Sequence, residues 1–182
     1  MHAVPSLTEC TALSDPVINW EAVLQDQASR GKLFCYRMLG DTHQAEDIYQ
    51  EACVRLYEGR ERFEGQSKPS TYLYRILSNL CLNELRRRQR ANQLQARIER
   101  AAALRTEDRE TRDEHLEDSA RMTNALNALP DVQRTALVLK VCEGQSYEEI
   151  ASVLEIRASH AAVLVYRAKK ALRAQLQPET GA

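Results

Sequence analysis

Between residues 91 and 120 the chain has few large apolar side chains and gains charge. Arg97, Arg100 and Arg105 come first, followed by seven acids: Glu107, Asp108, Glu110, Asp113, Glu114, Glu117 and Asp118. Such a stretch has little to pack into a core. It therefore divides the 182 residues into two blocks, each with only a modest core of its own. We read 92–121 as a flexible charged linker with room for some helix. It joins a domain over 17–91 to one over 122–176, with tails at 1–16 and 177–182.

Both blocks carry helical periodicity. In the first, Leu33, Phe34, Tyr36, Met38 and Leu39 are followed by Ala45, Ile48, Ala52 and Leu56, then by Leu73, Ile76, Leu77 and Leu80. Asp41 with Gln44 three residues on marks a helix start near 42, and the turn cluster from Glu64 to Ser70 marks another start just after Pro69. In the second block, Pro130 suits the first turn of a helix that Gly144 ends. Ser146-x-x-Glu149 is a capping box for the next, with Tyr147, Ile150, Ala151 and Leu154 as its buried stripe. A three-residue turn at 155–157 leads into a last helix with Ala161, Val165, Ala168 and Leu172 inward, which is the helix-turn-helix arrangement. With 43% apolar and 28% charged residues and few Gly and Pro, the expected fold is all-α: two small helical domains, the second containing a helix-turn-helix.

The net charge of −1 gives no global reason to expect nucleic-acid binding, so the distribution of charge must supply it. At 100° per residue, Tyr72, Arg75, Asn79, Asn83, Arg86 and Arg90 fall in one sector of a helix, opposite Leu73, Ile76, Leu77 and Leu80. A plain solvated face would be basic too. The combination points further: Arg supplies phosphate contacts, Asn can bond base edges, and Tyr can stack on an unpaired base. Upstream, Asp47 and Glu51 lie four apart with Glu46 and Gln50 alongside, an acidic and amide strip that is either a docking surface or a solvated helix face. Five scattered cysteines without a C-x-x-C pair suit buried thiols, with no metal or disulfide role and no cofactor. No apolar stretch is long enough for membrane insertion, and the start lacks a signal-peptide pattern, so the expected location is cytoplasmic.

Taken in order, these motifs resemble bacterial sigma factors of the small, extracytoplasmic-function class. Ala45-Glu46-Asp47-Ile48-x-Gln50-Glu51 is similar to that family's polymerase-docking helix. Arg62-Phe63, Thr71 to Ile76, Asn79 and the Glu84-Leu85-Arg86-Arg87 run resemble its minus-ten stretch. Leu129-Pro130, Gln133-Arg134, Gly144, Ser146-Tyr147-x-Glu149-Ile150-Ala151 and Arg167-Ala168 resemble its minus-thirty-five region. The resemblance implies a transcription initiation factor, not an enzyme, that binds core RNA polymerase and promoter DNA and is held by an anti-sigma factor or another protein regulator. It assigns polymerase contact to Glu46, Asp47, Gln50 and Glu51, and minus-ten contact to Tyr72, Arg75, Asn79, Asn83, Arg86, Arg87 and Arg90. Alternatives are a stand-alone helix-turn-helix regulator on paired half-sites, or a sigma-like protein acting only through protein contacts.

Two departures stand out. Tyr72 replaces the family's usual Trp, and the last helix has His160-Ala161-Ala162-Val163-Leu164 where cations are usual. Minus-thirty-five contact is thus left to Arg157, Ser159, His160, Arg167, Lys169 and Lys170, mostly phosphate-directed. Val163 and Leu164 are expected to form an exposed apolar edge, tolerated or covered by a protein partner.

Overall fold

The computed structural model describes residues 18–101 and 117–176, which form seven α-helices, one 3-10 turn and no strand. Helix α1 (Trp20–Leu39) starts where Asn19 accepts a bond from the Ala22 N–H and stops at Gly40, whose φ of 71° suits glycine. Helix α2 (Thr42–Gly59) starts at Asp41, which accepts from the Gln44 N–H at 2.9 Å, and runs into the 3-10 turn Arg60–Arg62. Helix α3 (Pro69–Ala101) begins at Pro69 itself, a first-turn position where the missing N–H is no loss.

The three helices close around Phe34, Cys35, Met38, Ala52, Leu56, Leu73 and Leu77, all without solvent exposure. Each large side chain among them contributes roughly 1.5–3 kcal/mol by leaving water. Helix α1 comes so near α2 that a Cβ on Gly31 would lie 2.6 and 2.9 Å from carbons of the Tyr49 ring. Tyr49 is itself buried, and its hydroxyl donates to the Leu24 carbonyl at 2.9 Å.

Helix α3 runs on to Ala101, so residues 92–101 of the expected linker are helical, as are residues 117–121 at its far end. Ala, Gln, Leu and Arg after residue 90 are good helix formers that extend an existing helix without needing a core. The remaining linker expectation, 102–116, and the tails at 1–16 and 177–182 lie outside the described residues.

The second unit comprises α4 (Glu117–Asn127), α5 (Asp131–Val141), α6 (Tyr147–Leu154) and α7 (Ala158–Leu176). Pro130 sits just before α5 with ψ of 136°, one residue earlier than expected, and Gly144 has φ of 69° in the turn that follows. Both halves of the capping box form: Ser146 Oγ accepts from the Glu149 N–H, and the Glu149 carboxylate accepts from the Ser146 N–H. Glu155, at φ 56°, makes the sharp turn between α6 and α7. Within α6 the buried residues are Ile150, Ala151 and Val153, whereas Tyr147 and Leu154 are half-buried. On α7, Ala161, Leu164, Val165 and Ala168 are buried and Leu172 is half-buried. The two units pack on each other, α6 against α3 and α5 against α1.

Candidate nucleic-acid and polymerase interfaces

On α2, Ala45, Tyr49, Ala52 and Leu56 turn inward, which leaves Glu46, Asp47, Gln50 and Glu51 exposed together. Glu46 pairs with Lys32 at 3.4 Å and Glu51 with Arg55 at 2.6 Å. Exposed ion pairs of this kind add little stability. Beside the strip lies a groove of about 270 Å3 lined by Lys32, Leu33, Tyr36, Thr42, Ala45 and Glu46. The sequence pattern groups Leu33 and Tyr36 with core residues, but they are 44% and 41% exposed. They lie on the flank of α1 away from Phe34 and Met38, a distinction that a dense apolar run conceals.

On α3, Asn79, Asn83, Arg86 and Arg90 form an exposed strip along one side, as the helical wheel implies. Arg86 Nη1 donates to Asn83 Oδ1 at 3.1 Å, so the two share one patch. Arg87 is exposed but turned aside, donating two bonds of 2.8 and 2.9 Å to Glu84. Those bonds hold the Glu84 carboxyl below the usual carboxylate range. The neighbouring Arg88 is structural. It donates to the Leu39 carbonyl at the end of α1, to Gln44 and to Glu84, fastening α3 to the first two helices. Composition alone could not sort Arg86, Arg87 and Arg88, yet register could: Arg88 lies three turns beyond Leu77 on the inward side.

The N-terminal end of the strip differs from its expected openness. Tyr72 is half-buried and stacks edge-on or tilted with Trp20 and Phe63, at centroid distances of 6.3 and 5.2 Å. Arg75 is also half-buried, donates to Ser152 Oγ of α6 at 3.2 Å, and leaves its Nε without a partner. A small pocket of about 100 Å3 opens here, lined by Arg62, Phe63, Glu64, Gln66, Ser67, Tyr72 and Arg75. Glu64, Gln66 and Ser67 are added by the fold, because the loop before α3 curls back over the first turn of that helix.

On α7, Arg157, Ser159, His160, Arg167, Lys169 and Lys170 are all exposed. The apolar run that interrupts them is mainly core. Ala161, Leu164 and Val165 are buried, Ala162 is half-buried, and only Val163 is 42% exposed. The expected Val163–Leu164 edge is therefore wrong in its second member, because Leu164 sits three residues after Ala161 and one before Val165, on the stripe facing α5 and α6. The exposed apolar companion of Val163 is Tyr166, at 67%. Around it a shallow basin is lined by Lys169, Lys170, Arg173 and Ala174. Extending the same wheel two turns would have added Arg173.

Two buried ionic features complete the electrostatics. Arg134 is 4% exposed and donates to the Met38 carbonyl, Asn127 and Asp131 at 2.8, 2.8 and 3.0 Å. Glu143 accepts a 2.6 Å bond from the Tyr74 hydroxyl, and burial together with that carboxylate pushes the Tyr74 pKa up. Among the described residues no helix is long and apolar enough to cross a membrane.

The sigma-70 region 2 family matches residues 32–91, and sigma-70 region 4 matches residues 119–172. The chain belongs to the sigma-70 family. Within it, the relatives are of the extracytoplasmic-function class that the sequence resembles. The chain is 35% identical over 151 residues to the ECF RNA polymerase sigma factor SigW of Bacillus subtilis (strain 168), spanning 79% of this chain and 81% of that protein. It is 30% identical over 141 residues to the ECF RNA polymerase sigma-E factor of Escherichia coli (strain K12), spanning 72% and 73%. The fold is shared with the sigma factor RpoE solved in complex with the anti-sigma factor NepR from Bartonella quintana. That likeness has a TM-score of 0.67 at 22% identity, over 88% of this chain and 98% of that one. CnrH, solved in complex with the cytosolic domain of CnrY, is similar at TM-score 0.65 and 18% identity over 86% of each chain. The all-α, two-region sigma fold with its helix-turn-helix is thus as the sequence implies.

Proposed function

We propose that this sigma-family chain directs core RNA polymerase to a set of promoters. It docks through the α2 strip of Glu46, Asp47, Gln50 and Glu51 and the adjoining Leu33–Tyr36 groove. It engages the non-template strand of the minus-ten element along Asn79, Asn83, Arg86 and Arg90. The pocket between residues 62–67 and Tyr72 is sized for the edge of one extruded base, with Phe63 and Tyr72 offering faces for stacking. Helix α7 lies in the major groove of the upstream duplex, with Arg157, His160, Arg167, Lys169, Lys170 and Arg173 at phosphates.

At the centre of that face Ser159 and Val163 approach base edges, and a Val side chain suits the methyl group of thymine. Upstream reading then depends on few groups and discriminates weakly. The chain carries no chemistry of its own; bond formation belongs to the polymerase. It works in the cytoplasm, and a protein regulator of the anti-sigma kind restrains it.

The observation that carries this proposal is the exposed Asn/Arg strip on α3 lying within the segment that matches sigma-70 region 2. Reconstitution with core polymerase tests it. Transcripts should start downstream of defined promoters only when the chain is present, and duplex binding without polymerase would favour a stand-alone regulator instead.

A further inference from the structure

Glu143 lies in the turn after α5, in the second unit, yet its side chain is 2% exposed and every bond to its carboxylate comes from the first. The Tyr74 hydroxyl of α3 donates at 2.6 Å. Arg30 and Arg37 of α1 approach at 3.2 and 3.7 Å, and Arg30 Nη2 also donates to the Glu143 carbonyl at 3.2 Å. A buried carboxylate is strongly unfavourable unless ionic and hydrogen-bonding partners surround it. Here the partners exist only while the two units touch. With the units apart, Glu143 would be an ordinary solvated surface acid.

The same closure is fastened around its rim. Arg134 of α5 donates to the Met38 carbonyl of α1, Lys68 pairs with Glu149 at 2.8 Å, and Gln89 donates to Asp131 at 3.1 Å. Its consequence falls on α3. Helix α6 sits over the N-terminal part of the DNA-facing strip, and Arg75, which a nucleic acid would need free, is occupied by Ser152. Lys68, just ahead of α3, is held by Glu149 in the same way.

We propose that the face of α3 that meets promoter DNA is also the docking surface for α6 of the same chain, with Glu143 as the latch that keeps the free protein closed. Opening removes Glu143 from its Arg30–Arg37–Tyr74 cage and releases Arg75 from Ser152, so binding DNA draws on the open form. The DNA side of this device rests on the promoter-reading role proposed above. Its mechanical side does not.

The test compares the full chain with Glu143→Gln, which keeps shape and removes charge, and with Arg30→Glu, whose side chain is 54% exposed and so places little burden on folding. Small-angle scattering should give a larger radius of gyration for both variants while each still unfolds cooperatively. A labelled mixed-sequence single-stranded DNA should bind the free variants about tenfold more tightly than wild type, as expected when a binding-competent state rises from a tenth of the molecules to most of them. Folded variants that keep the wild-type radius would overturn the latch. A larger radius without tighter DNA binding would overturn occlusion of the DNA face. Scattering needs neither polymerase nor promoter, so the radius tests the latch even if promoter-directed transcription fails.

Discussion

Replacing Gly31 by Ala puts two effects of opposite sign on the same atom. In a helix interior the change by itself stabilises by about 1 kcal/mol. The new Cβ, however, would sit 2.6 Å from Cε2 and 2.9 Å from Cδ2 of Tyr49, and 3.4 Å from a Leu77 methyl. The Tyr49 ring cannot swing away, because it is 5% exposed and its hydroxyl is tied to the Leu24 carbonyl. Overpacking costs about 1–3 kcal/mol, and a 2.6 Å approach to a buried, tethered ring belongs to the upper part of that range, about 2–3 kcal/mol, so the clash should win, with a net loss of about 1–2 kcal/mol after the helix gain is subtracted. Urea unfolding followed by circular dichroism would read this as a lower midpoint at unchanged slope. In a Tyr49→Leu background the ring is gone, and Gly31→Ala should become neutral or stabilising by up to about 1 kcal/mol. If Gly31→Ala is as stable as wild type while Tyr49 is present, the close packing of α1 on α2 does not exist as described.

Four further outcomes are expected. Asp47→Arg, on an exposed position, should abolish binding to core polymerase while stability moves by less than about 0.5 kcal/mol; pull-down and thermal unfolding read the two effects separately. Asn79→Ala should change base preference at one minus-ten position, whereas Arg86→Ala should weaken all sequences alike and lower the salt slope of binding by about one charge. Glu149 has its pKa lowered by the Lys68 bond and by the Ser146 N–H, so its contribution is present above the unfolded carboxylate pKa and is lost as pH falls through the lower folded value. Glu149→Gln should therefore melt below wild type at pH 7, by no more than about 1 kcal/mol given the exposed Lys68, and the difference should shrink as pH falls below the unfolded carboxylate pKa of about 4.3 and vanish below the lower folded value. Replacing thymine by uracil in the upstream element should weaken the holoenzyme about fourfold at the Val163-contacted position, the effect of one buried methyl group. Val163→Ala should erase that difference in a competition binding assay.

Local features were legible in the sequence because their causes are local. The start of α2 at Asp41, the start of α3 at Pro69, the Ser146–Glu149 box and the α6–α7 turn each follow from residues within four positions of one another. The α3 strip was legible for the same reason, since 100° periodicity needs no tertiary information. What the sequence concealed depends on neighbours from elsewhere in the chain. Arg88 and Arg134 look like surface cations until the carbonyls of Leu39 and Met38 are placed beside them. Leu164 looks exposed only if the stripe of α7 is drawn too narrowly, and it is buried in the core with Ala161, Val165 and Ala168. Tyr72 and Arg75 satisfy the periodicity of the α3 strip, yet Trp20 and Phe63 pack on the first and Ser152 holds the second. The pocket before α3 could not be foreseen from periodicity, because an irregular loop builds half of it.

The central claim is that this chain gives RNA polymerase its promoter choice through exposed residues of α2 and α3. Run-off transcription with purified core polymerase, on a template carrying the chain's own upstream region beside a pool of unrelated fragments, measures it most directly. Discrete transcripts should appear with the wild-type chain, vanish with Asp47→Arg, and shift in promoter preference with Asn79→Ala. Transcripts that are the same with and without the chain, or that survive Asp47→Arg unchanged, would contradict it.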